Sequence, residues 1–199
     1  MVDRIVVVRH GETEWSRAGR HTGRTDIALT PTGEQEASLA RLSLRGWTFR
    51  RVWASPLQRA TATATLAGYE PELDPILMEW DYGDVEGLTN DEITAARPGW
   101  SKWGDDVPGG EHVASVGERA DRFLAQATGA AIDGDALVFA HGHFLAVLIA
   151  RWLGLPAEEG RRFPLTTASI SVLSSKRDDR VLHQLNHRCG DDLDIAASA

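Results

Sequence analysis

Two histidine–glycine pairs, each placed directly after a short apolar run, are the residues of this sequence best suited to chemistry. Arg9-His10-Gly11 follows the apolar run 5–8, and His141-Gly142 follows the run 137–140. A third segment, Ser55 to Arg59, follows the run 52–54 and adds a second arginine. The planar guanidinium of arginine fits phosphate oxygens, and a helix N-terminus adds backbone N–H donors. Together these segments predict a pocket for a phosphoryl group.

The elements that must position these residues are three buried strands. The runs Ile5 to Val8, Val52 to Ala54 and Leu137 to Ala140 are apolar throughout, which is typical of a parallel sheet buried on both faces. In open α/β sheets the ligand site lies beyond the carboxyl ends of the strands, so all three segments should meet there. Gly11 and Gly142 lack side chains and should allow backbone and ligand to approach closely.

Helix patterns follow the strands and favour a βαβα order. Thr30 and Pro31 predict the N-cap and first residue of a helix to about Leu44. Ser55, Pro56 and Gln58 predict a capping box that opens a helix through Leu66. Helical spacing continues from Val113 to Ala127, and the apolar segment Phe144 to Leu153 is predicted to be a buried helix.

The C-terminal part predicts an antiparallel hairpin at the sheet edge. Segments 169–173 and 181–185 alternate in polarity around the polar turn 174–180. The predicted fold class is therefore a three-layer α/β/α arrangement whose central sheet is mostly parallel with an antiparallel edge. We expect one domain over residues 1–189 and a mobile tail over 190–199, where apolar content is low.

Composition narrows the class of partner. The net charge of −8 and the pI near 5.3 argue against nucleic acid and against an anionic membrane surface. We therefore expect a small phosphorylated metabolite, with inorganic phosphate as product and inhibitor, and we leave open whether the chain forms a homo-oligomer. Cys189 is the single cysteine, and no segment is apolar enough for a signal peptide or a membrane span, so a cytoplasmic location is expected.

Four motifs in this order resemble the histidine phosphatase superfamily, branch 1, the phosphoglycerate mutase-like clan. They are Arg9-His10-Gly11-Glu12-Thr13, Ser55-Pro56-Leu57-Gln58-Arg59-Ala60, Glu79 ahead of Gly83 and Glu86-Gly87, and His141-Gly142. The resemblance spans residues 4 to about 174. Within the superfamily, segments 19–30, 79–84 and 141–143 look most similar to actinobacterial acid phosphatases and fungal sedoheptulose bisphosphatase. This implies a phosphatase acting on a sugar phosphate or a similar metabolite.

The resemblance also implies a role for each motif residue. His10 would be the nucleophile that becomes a phosphohistidine, and Glu79 would be the general acid. The residues that would hold the phosphoryl oxygens are Arg9, Arg59 and His141. The segment 19–23 would form the near wall of the pocket. The residues expected to contact substrate or line the pocket are Ser16, Thr22, Gly23, Trp80, Tyr82, Gly142, His143 and His21. Many relatives carry asparagine where this chain has Ser16, which leaves one phosphate contact open.

Three alternatives to a phosphatase follow from the same residues. A cofactor-dependent mutase shares the phosphohistidine step, but the 61 residues between Glu79 and His141 leave little room for its long basic insertion, and Trp80 stands where mutases carry arginine. A metal-dependent hydrolase built on His10, His141, His143 and Asp81 is disfavoured because the neighbouring arginines repel a cation. A non-catalytic binding module is the third. We expect neither metal nor cofactor.

Two details stay open at the level of sequence. Asp81 lies two residues after Glu79 and competes with it for the role of acid, and only geometry can separate them. Trp80, Trp100 and Trp103 cluster between Glu79 and the turn 108–111, where a lid over the pocket would lie. Most tryptophans are structural, so contact of one of them with substrate is the less favoured outcome.

Overall fold

One mixed six-stranded sheet organises the computed structural model, which describes residues 2–129, 134–177 and 179–188. The strands are β1 (Val2–Arg9), β2 (Phe49–Ala54), β3 (Glu72–Leu73), β4 (Gly134–Ala140), β5 (Ile170–Lys176) and β6 (Asp179–His187). Their order across the sheet is β3-β2-β4-β1-β5-β6. The first four of these pair in parallel, whereas β5 and β6 pair antiparallel at one edge. Cys189 and the predicted tail 190–199 lie outside the described residues.

The central strands bury both of their faces. In β1, Ile5 and Val7 belong to one core and Val6 and Val8 to another, because successive side chains of a strand point to opposite faces. Strand β4 divides in the same way. Two cores on a single sheet require a helical layer on each side, as the apolar runs predict.

The helices form those two layers. They are α1 (Glu14–Arg17), α2 (Pro31–Ser43), α3 (Gln58–Leu66), α4 (Asn90–Ala96), α5 (Val113–Ala127) and α6 (Gly142–Trp152). Helix α3 packs on the core that contains Val6 and Val8, and α2 packs on α3. Helices α5 and α6 pack on the opposite core. The three-layer α/β/α prediction is confirmed.

Most of the predicted elements are confirmed at their predicted places. The side chain of Thr30 caps α2 by accepting a hydrogen bond from the Gly33 amide, and Pro31 is the first helical residue. Helix α5 spans the predicted range, and its apolar residues at helical spacing are all buried: Val113, Val116, Ala120, Phe123 and Ala127. The hairpin is also confirmed, although its strands extend further and its turn is shorter than predicted.

The capping box predicted at the start of α3 is wrong. The N-cap is Leu57, which makes no side-chain capping bond. The hydroxyl of Ser55 instead accepts a 3.3 Å hydrogen bond from the Leu57 amide and contacts the ring of His141. The Ser55 hydroxyl therefore contacts His141 at the end of another strand, whereas the sequence pattern predicts that it caps the helix.

Several short elements carry no periodic signal in the sequence. They are α1, α4, β3 and the three 3₁₀-helices Pro75–Leu77, Gly83–Val85 and Ala157–Arg162. They lie in the loops around the carboxyl edge of the sheet and in the segments that connect its strands. No helix among the described residues has the length and apolarity needed to cross a bilayer.

Candidate active site

A cavity of about 400 Å³ opens at the carboxyl ends of β1 and β4. Its volume falls within the range of roughly 300–1,000 Å³ that is usual for small-molecule sites. Of the described residues that line it, Glu79 is the sole carboxylate, and the cations are Arg9, Arg20, Lys102 and Arg161. The cavity is therefore positively charged, although the chain as a whole carries a net charge of −8.

His10 presents one defined ring nitrogen to this cavity. Its Nδ1 lies 2.7 Å from the carbonyl oxygen of Gly11. Because a carbonyl can only accept, Nδ1 carries the proton and Nε2 keeps its lone pair. Burial, followed by the charges of Arg9 and Arg59, lowers the pKa of His10 well below its usual value. The imidazole is therefore neutral at neutral pH.

Arg9 lies beside His10 with part of its guanidinium unsatisfied. One terminal N–H donates to the carbonyl of Leu165, and the buried Nε has no partner among the described residues. Burial lowers the pKa of Arg9 from its usual value, and the charge of Glu79 opposes that shift. A Cβ on Gly142 would lie 3.2 Å from this Nε, so glycine at the start of α6 makes room for the guanidinium.

Gly11 serves packing rather than the approach of a ligand. A Cβ at this position would lie 2.4 Å from the carbonyl oxygen of Gly33 in α2, which no side chain could tolerate. The amide of Gly11 donates a 3.0 Å hydrogen bond to the Thr63 hydroxyl in α3. The missing side chain at Gly11 thus makes room for the packing of helix α2 against the loop, and not for a ligand as expected.

Arg59 and His141 lie behind His10 and are fully buried. The Nε of Arg59 donates to Nδ1 of His141 over 3.1 Å, and the two rings of His10 and His141 have centroids 5.2 Å apart. Burial, followed by the charge of Arg59, lowers the pKa of His141 well below its usual value. Neither Arg59 nor His141 lines the cavity in this state.

The remaining polar atoms of this buried pair are also committed. The terminal nitrogens of Arg59 donate to three backbone carbonyls of the loop after α1, those of Thr22 (3.2 Å), Gly23 (2.9 Å) and Thr25 (3.0 Å). Since Nδ1 of His141 accepts from Arg59, its Nε2 carries the proton and donates to the Ser55 hydroxyl over 2.8 Å. Arg59 therefore links the wall loop to the strand ends.

Glu79 is held at the N-terminus of α6. Its Oε1 accepts from the amides of Trp80 (2.9 Å) and Phe144 (2.8 Å), and its Oε2 accepts from the amide of His143 (3.0 Å). The side chain is buried and lines the cavity. Asp81 does not line it, because its carboxylate contacts the Gly83 amide and Arg24. Of the two candidate acids, only Glu79 therefore reaches the cavity.

The outer wall of the cavity is a cluster of rings around a lysine. Nζ of Lys102 lies 3.1 Å from Nε2 of His21, whose Nδ1 lies 3.0 Å from the carbonyl of Leu88. The rings of His21 and His143 stack at 6.2 Å. The hydroxyl of Tyr82 lies 2.5 Å from Nδ1 of His143. Trp103 completes the cluster at 5.7 Å from His143.

Burial sets the charges of this wall. It lowers the pKa of His21 and lowers that of His143 well below the usual value, with Lys102 adding to both shifts. Burial raises the pKa of Tyr82 well above 10. Desolvation also lowers the pKa of Lys102 to about 8, against the attraction of Glu79. At pH 7 the wall therefore holds two neutral histidines, a neutral tyrosine and one ammonium.

Some of the other predicted site residues line the cavity and others do not. The predicted residues that line the cavity are Ser16, Thr22, Tyr82, Gly142, His143 and His21. The hydroxyl of Ser16 is already engaged with Thr13 as part of the cap of α1. Gly23 and Trp80 do not line the cavity. The indole of Trp80 is completely buried and its Nε1 donates to Glu111, so the expectation that it contacts substrate is corrected.

The structure bears on the lid and on the proposed metal ligands. Trp103 lines the cavity and Trp100 does not, so the predicted lid segment contributes one of its tryptophans. Over the described ranges, no group of three or more histidine, cysteine, aspartate or glutamate side chains is arranged to hold a metal ion. The arrangement assumed by the metal-hydrolase alternative is thus not formed.

Several lining residues were missed by sequence reasoning. They are Asn90, Lys102, Ala146, Gly160, Arg161, Phe163, Pro164 and Leu165, whereas Gly19 and Arg20 belong to the predicted wall segment 19–23. Most of them come from loops without periodicity. One available signal was composition: Lys102 is one of only two lysines in a chain with 19 arginines. A lysine in a chain that otherwise uses arginine as its basic residue is a candidate for a functional role.

Comparison with known proteins gives a consistent result. Residues 5–188 match the family model described as histidine phosphatase superfamily (branch 1). An acid phosphatase of Mycobacterium tuberculosis is 43% identical over 182 residues, which cover 90% of each chain. A sedoheptulose 1,7-bisphosphatase of Saccharomyces cerevisiae is 33% identical, covering 91% of this chain and 78% of the relative.

A solved structure extends the similarity to the fold. A protein of Mycobacterium tuberculosis superposes with a TM-score of 0.87 at 41% sequence identity. The match covers 94% of this chain and 98% of that one. The likeness in fold therefore extends over nearly the whole of both chains.

Proposed function

The chain belongs to branch 1 of the histidine phosphatase superfamily, and from that premise we propose that it hydrolyses a small phosphate monoester through a phosphohistidine formed on His10. The single observation that carries this proposal is the Nε2 lone pair of a buried, neutral His10, held towards the cavity by the Gly11 carbonyl. A substrate phosphorus placed against this nitrogen can be attacked in line.

The first step forms the bond from Nε2 to phosphorus and breaks the bond from phosphorus to the ester oxygen. Negative charge spreads over the three equatorial oxygens in the transition state, so fixed donors lower the barrier. Arg9 supplies a guanidinium with an unpartnered Nε beside His10. Arg59 and His141 add donors from beneath, and their contact with the phosphoryl oxygens requires a shift from their present partners.

Glu79 is the proposed proton carrier for both steps. Its Oε2 accepts one amide hydrogen bond and Oε1 accepts two, so Oε2 has the remaining capacity to carry a proton. In the first step it donates that proton to the leaving alkoxide. In the second step the carboxylate takes a proton from water, whose oxygen bonds to phosphorus as the bond to Nε2 breaks.

The substrate class follows from the cavity and the relatives together. A cationic cavity of about 400 Å³ accommodates a phosphorylated metabolite, and a sugar phosphate is the proposed type. Inorganic phosphate, the product, competes for the same site. We further propose one domain over residues 1–189 and a cytoplasmic location. Mutase activity is the alternative, and analysis of products in the presence of a second phosphorylated ligand distinguishes it.

The decisive experiment replaces the nucleophile. We expect His10→Ala to lower kcat by about 10⁴-fold or more on any phosphate ester, because removal of a nucleophile removes the covalent route. Cys189→Ser replaces the single cysteine, the other side chain that could act as a strong nucleophile, and should retain wild-type turnover. The adduct trapped on the wild type should be labile in acid and stable in base. Substantial activity in His10→Ala, or a base-labile adduct, would overturn the mechanism.

A further inference from the structure

The mechanism proposed above leaves one buried cation in the cavity without a role. Lys102 is 8% exposed, lines the cavity and makes no salt bridge with any described residue. Burying an ammonium is costly unless it is paired, so its position needs an explanation. Its one polar contact within residues 2–129, 134–177 and 179–188 is the neutral ring of His21, which does not neutralise a charge.

Lys102 lies apart from the phosphoryl-binding residues. Its Nζ lies 3.1 Å from Nε2 of His21 and 5.8 Å from the ring centre of Trp103, and both residues belong to the outer wall. Lys102 therefore occupies the outer half of the same cavity. A phosphoryl group bound at His10 would leave this half for the rest of the substrate.

The other cations of the cavity are already paired or assigned. Arg20 lies 3.2 Å from Glu92, and Arg161 lies 2.8 Å from Glu159. Both are also partly exposed, which weakens their attraction for a ligand. Arg9 belongs to the phosphoryl-binding half. Lys102 is thus the ammonium left to meet a second anionic group.

We infer that Lys102 binds a second anionic group of the substrate, a phosphate or a carboxylate, in the outer half of the cavity, with His21 and Trp103 beside it. This inference rests on the proposed function and narrows it to substrates that carry two anionic groups. His21 accepts one N–H of the ammonium, which leaves two N–H donors for the ligand. The site becomes paired only when such a substrate is bound.

Matched pairs of substrates test the inference. Fructose 1,6-bisphosphate and fructose 6-phosphate differ by one phosphate, and 3-phosphoglycerate and glycerol 3-phosphate differ by one carboxylate. For each pair we take the ratio of kcat/KM for the doubly anionic member to that of its partner. Loss of a charge-assisted hydrogen bond in Lys102→Met should lower this ratio by about 10- to 100-fold.

The two pairs also distinguish the two kinds of second anion. A fall confined to the fructose pair assigns the site to phosphate, and a fall confined to the glycerol pair assigns it to carboxylate. Lys102→Arg should retain part of the ratio because its charge persists. Lys176→Met changes the only other lysine, which is exposed on β5, and should leave the ratio at its wild-type value.

A labelling experiment keeps the inference testable if Lys102→Met does not fold. In His10→Ala, which retains substrate, acetylation of Lys102 is followed by peptide mass spectrometry, with Lys176 as internal reference. Fructose 1,6-bisphosphate should protect Lys102 more than inorganic phosphate does. Equal protection, or an equal fall in kcat/KM for both members of each pair, would assign Lys102 a structural role and overturn the inference. Absence of turnover by the wild type on every phosphate ester would instead overturn the proposed function.

Discussion

The two halves of the cavity are built on different principles. The inner half consists of Arg9 and His10 at the cavity, with Arg59 and His141 buried behind them, and all four lie at strand ends or in the first turn of a helix. Three of its four ring nitrogens and all three side-chain nitrogens of Arg59 have defined protein partners, and Nε2 of His10 keeps its lone pair. The outer half comes mainly from loops, and its buried cation, Lys102, has only a neutral imidazole as polar partner in the described part of the chain. The sheet therefore fixes the positions of the reacting groups, whereas the loops can change in sequence and so alter which substrates the cavity accepts.

After His10 itself, the largest effect expected in the inner half comes from Arg59. Arg59→Met removes donors to His141 and to three wall carbonyls, so those buried groups lose their partners. We expect kcat/KM to fall by about 10²–10³-fold on all substrates, whether singly or doubly anionic. The free energy of unfolding should fall by about 3 kcal/mol or more, measured by denaturant titration.

The control for this variant is Arg45→Met, at an exposed position just after α2. It should change neither kcat/KM nor the unfolding midpoint. If Arg59→Met retained full activity on every substrate, the idea that the inner half acts as one preorganised unit would fail.

The inner half is also the part that the sequence predicts best. Arg9, His10 and His141 are recognisable because apolar strands end at them. The carboxyl ends of parallel strands all lie at the same edge of the sheet, so these residues must meet there. Arg59 is found in the same way from the start of its helix. Its partners are not, since its bonds to the loop span 34 to 37 residues.

The outer half could not be predicted because its contacts are long-range and its loops lack periodicity. Lys102 and His21 are 81 residues apart in sequence and meet only in the folded chain. Ser55 illustrates the same limit in a predicted motif: the capping pattern is present locally, but the hydroxyl bonds to His141, 86 residues away. Local pattern therefore identifies the strand ends and leaves the wall undetermined.

The second prediction concerns the boundary between the halves, where Glu79 lies. Glu79→Gln keeps the shape of the side chain but removes the transferable proton. Alkyl phosphates need that proton and should lose about 10²-fold in the rate of His10 phosphorylation, whereas aryl phosphates should lose much less. Single-turnover measurements with one aryl and one alkyl phosphate check this.

The control is Asp81→Asn, because Asp81 lies outside the cavity and pairs with Arg24. It should show no dependence on the leaving group. Dependence in Asp81→Asn alone would move the acid to that residue. An equal loss for both leaving groups in Glu79→Gln would leave Glu79 with a purely structural role at the N-terminus of α6.

The smallest effect is a pH dependence confined to the outer half. Around Lys102, the pKa values of His21 and His143 are lowered by burial and that of Tyr82 is raised, so none of the three changes charge between pH 7 and 9. Glu79 also faces Lys102, and its attraction opposes the burial that lowers the pKa of Lys102 to about 8. Raising the pH from 7 to 9 therefore removes the ammonium from most free enzyme molecules.

Binding of the second anion should weaken accordingly. With a pKa of about 8, the protonated fraction falls by about tenfold between pH 7 and 9. KM for the doubly anionic member of each substrate pair should rise by about tenfold over this interval, while KM for its partner stays nearly constant. In Lys102→Arg the guanidinium remains charged, so the rise should disappear. A rise in KM of the same size in Lys102→Met would show that another group controls the pH dependence. The outer half of the cavity would then not owe its binding of a second anion to the charge of Lys102.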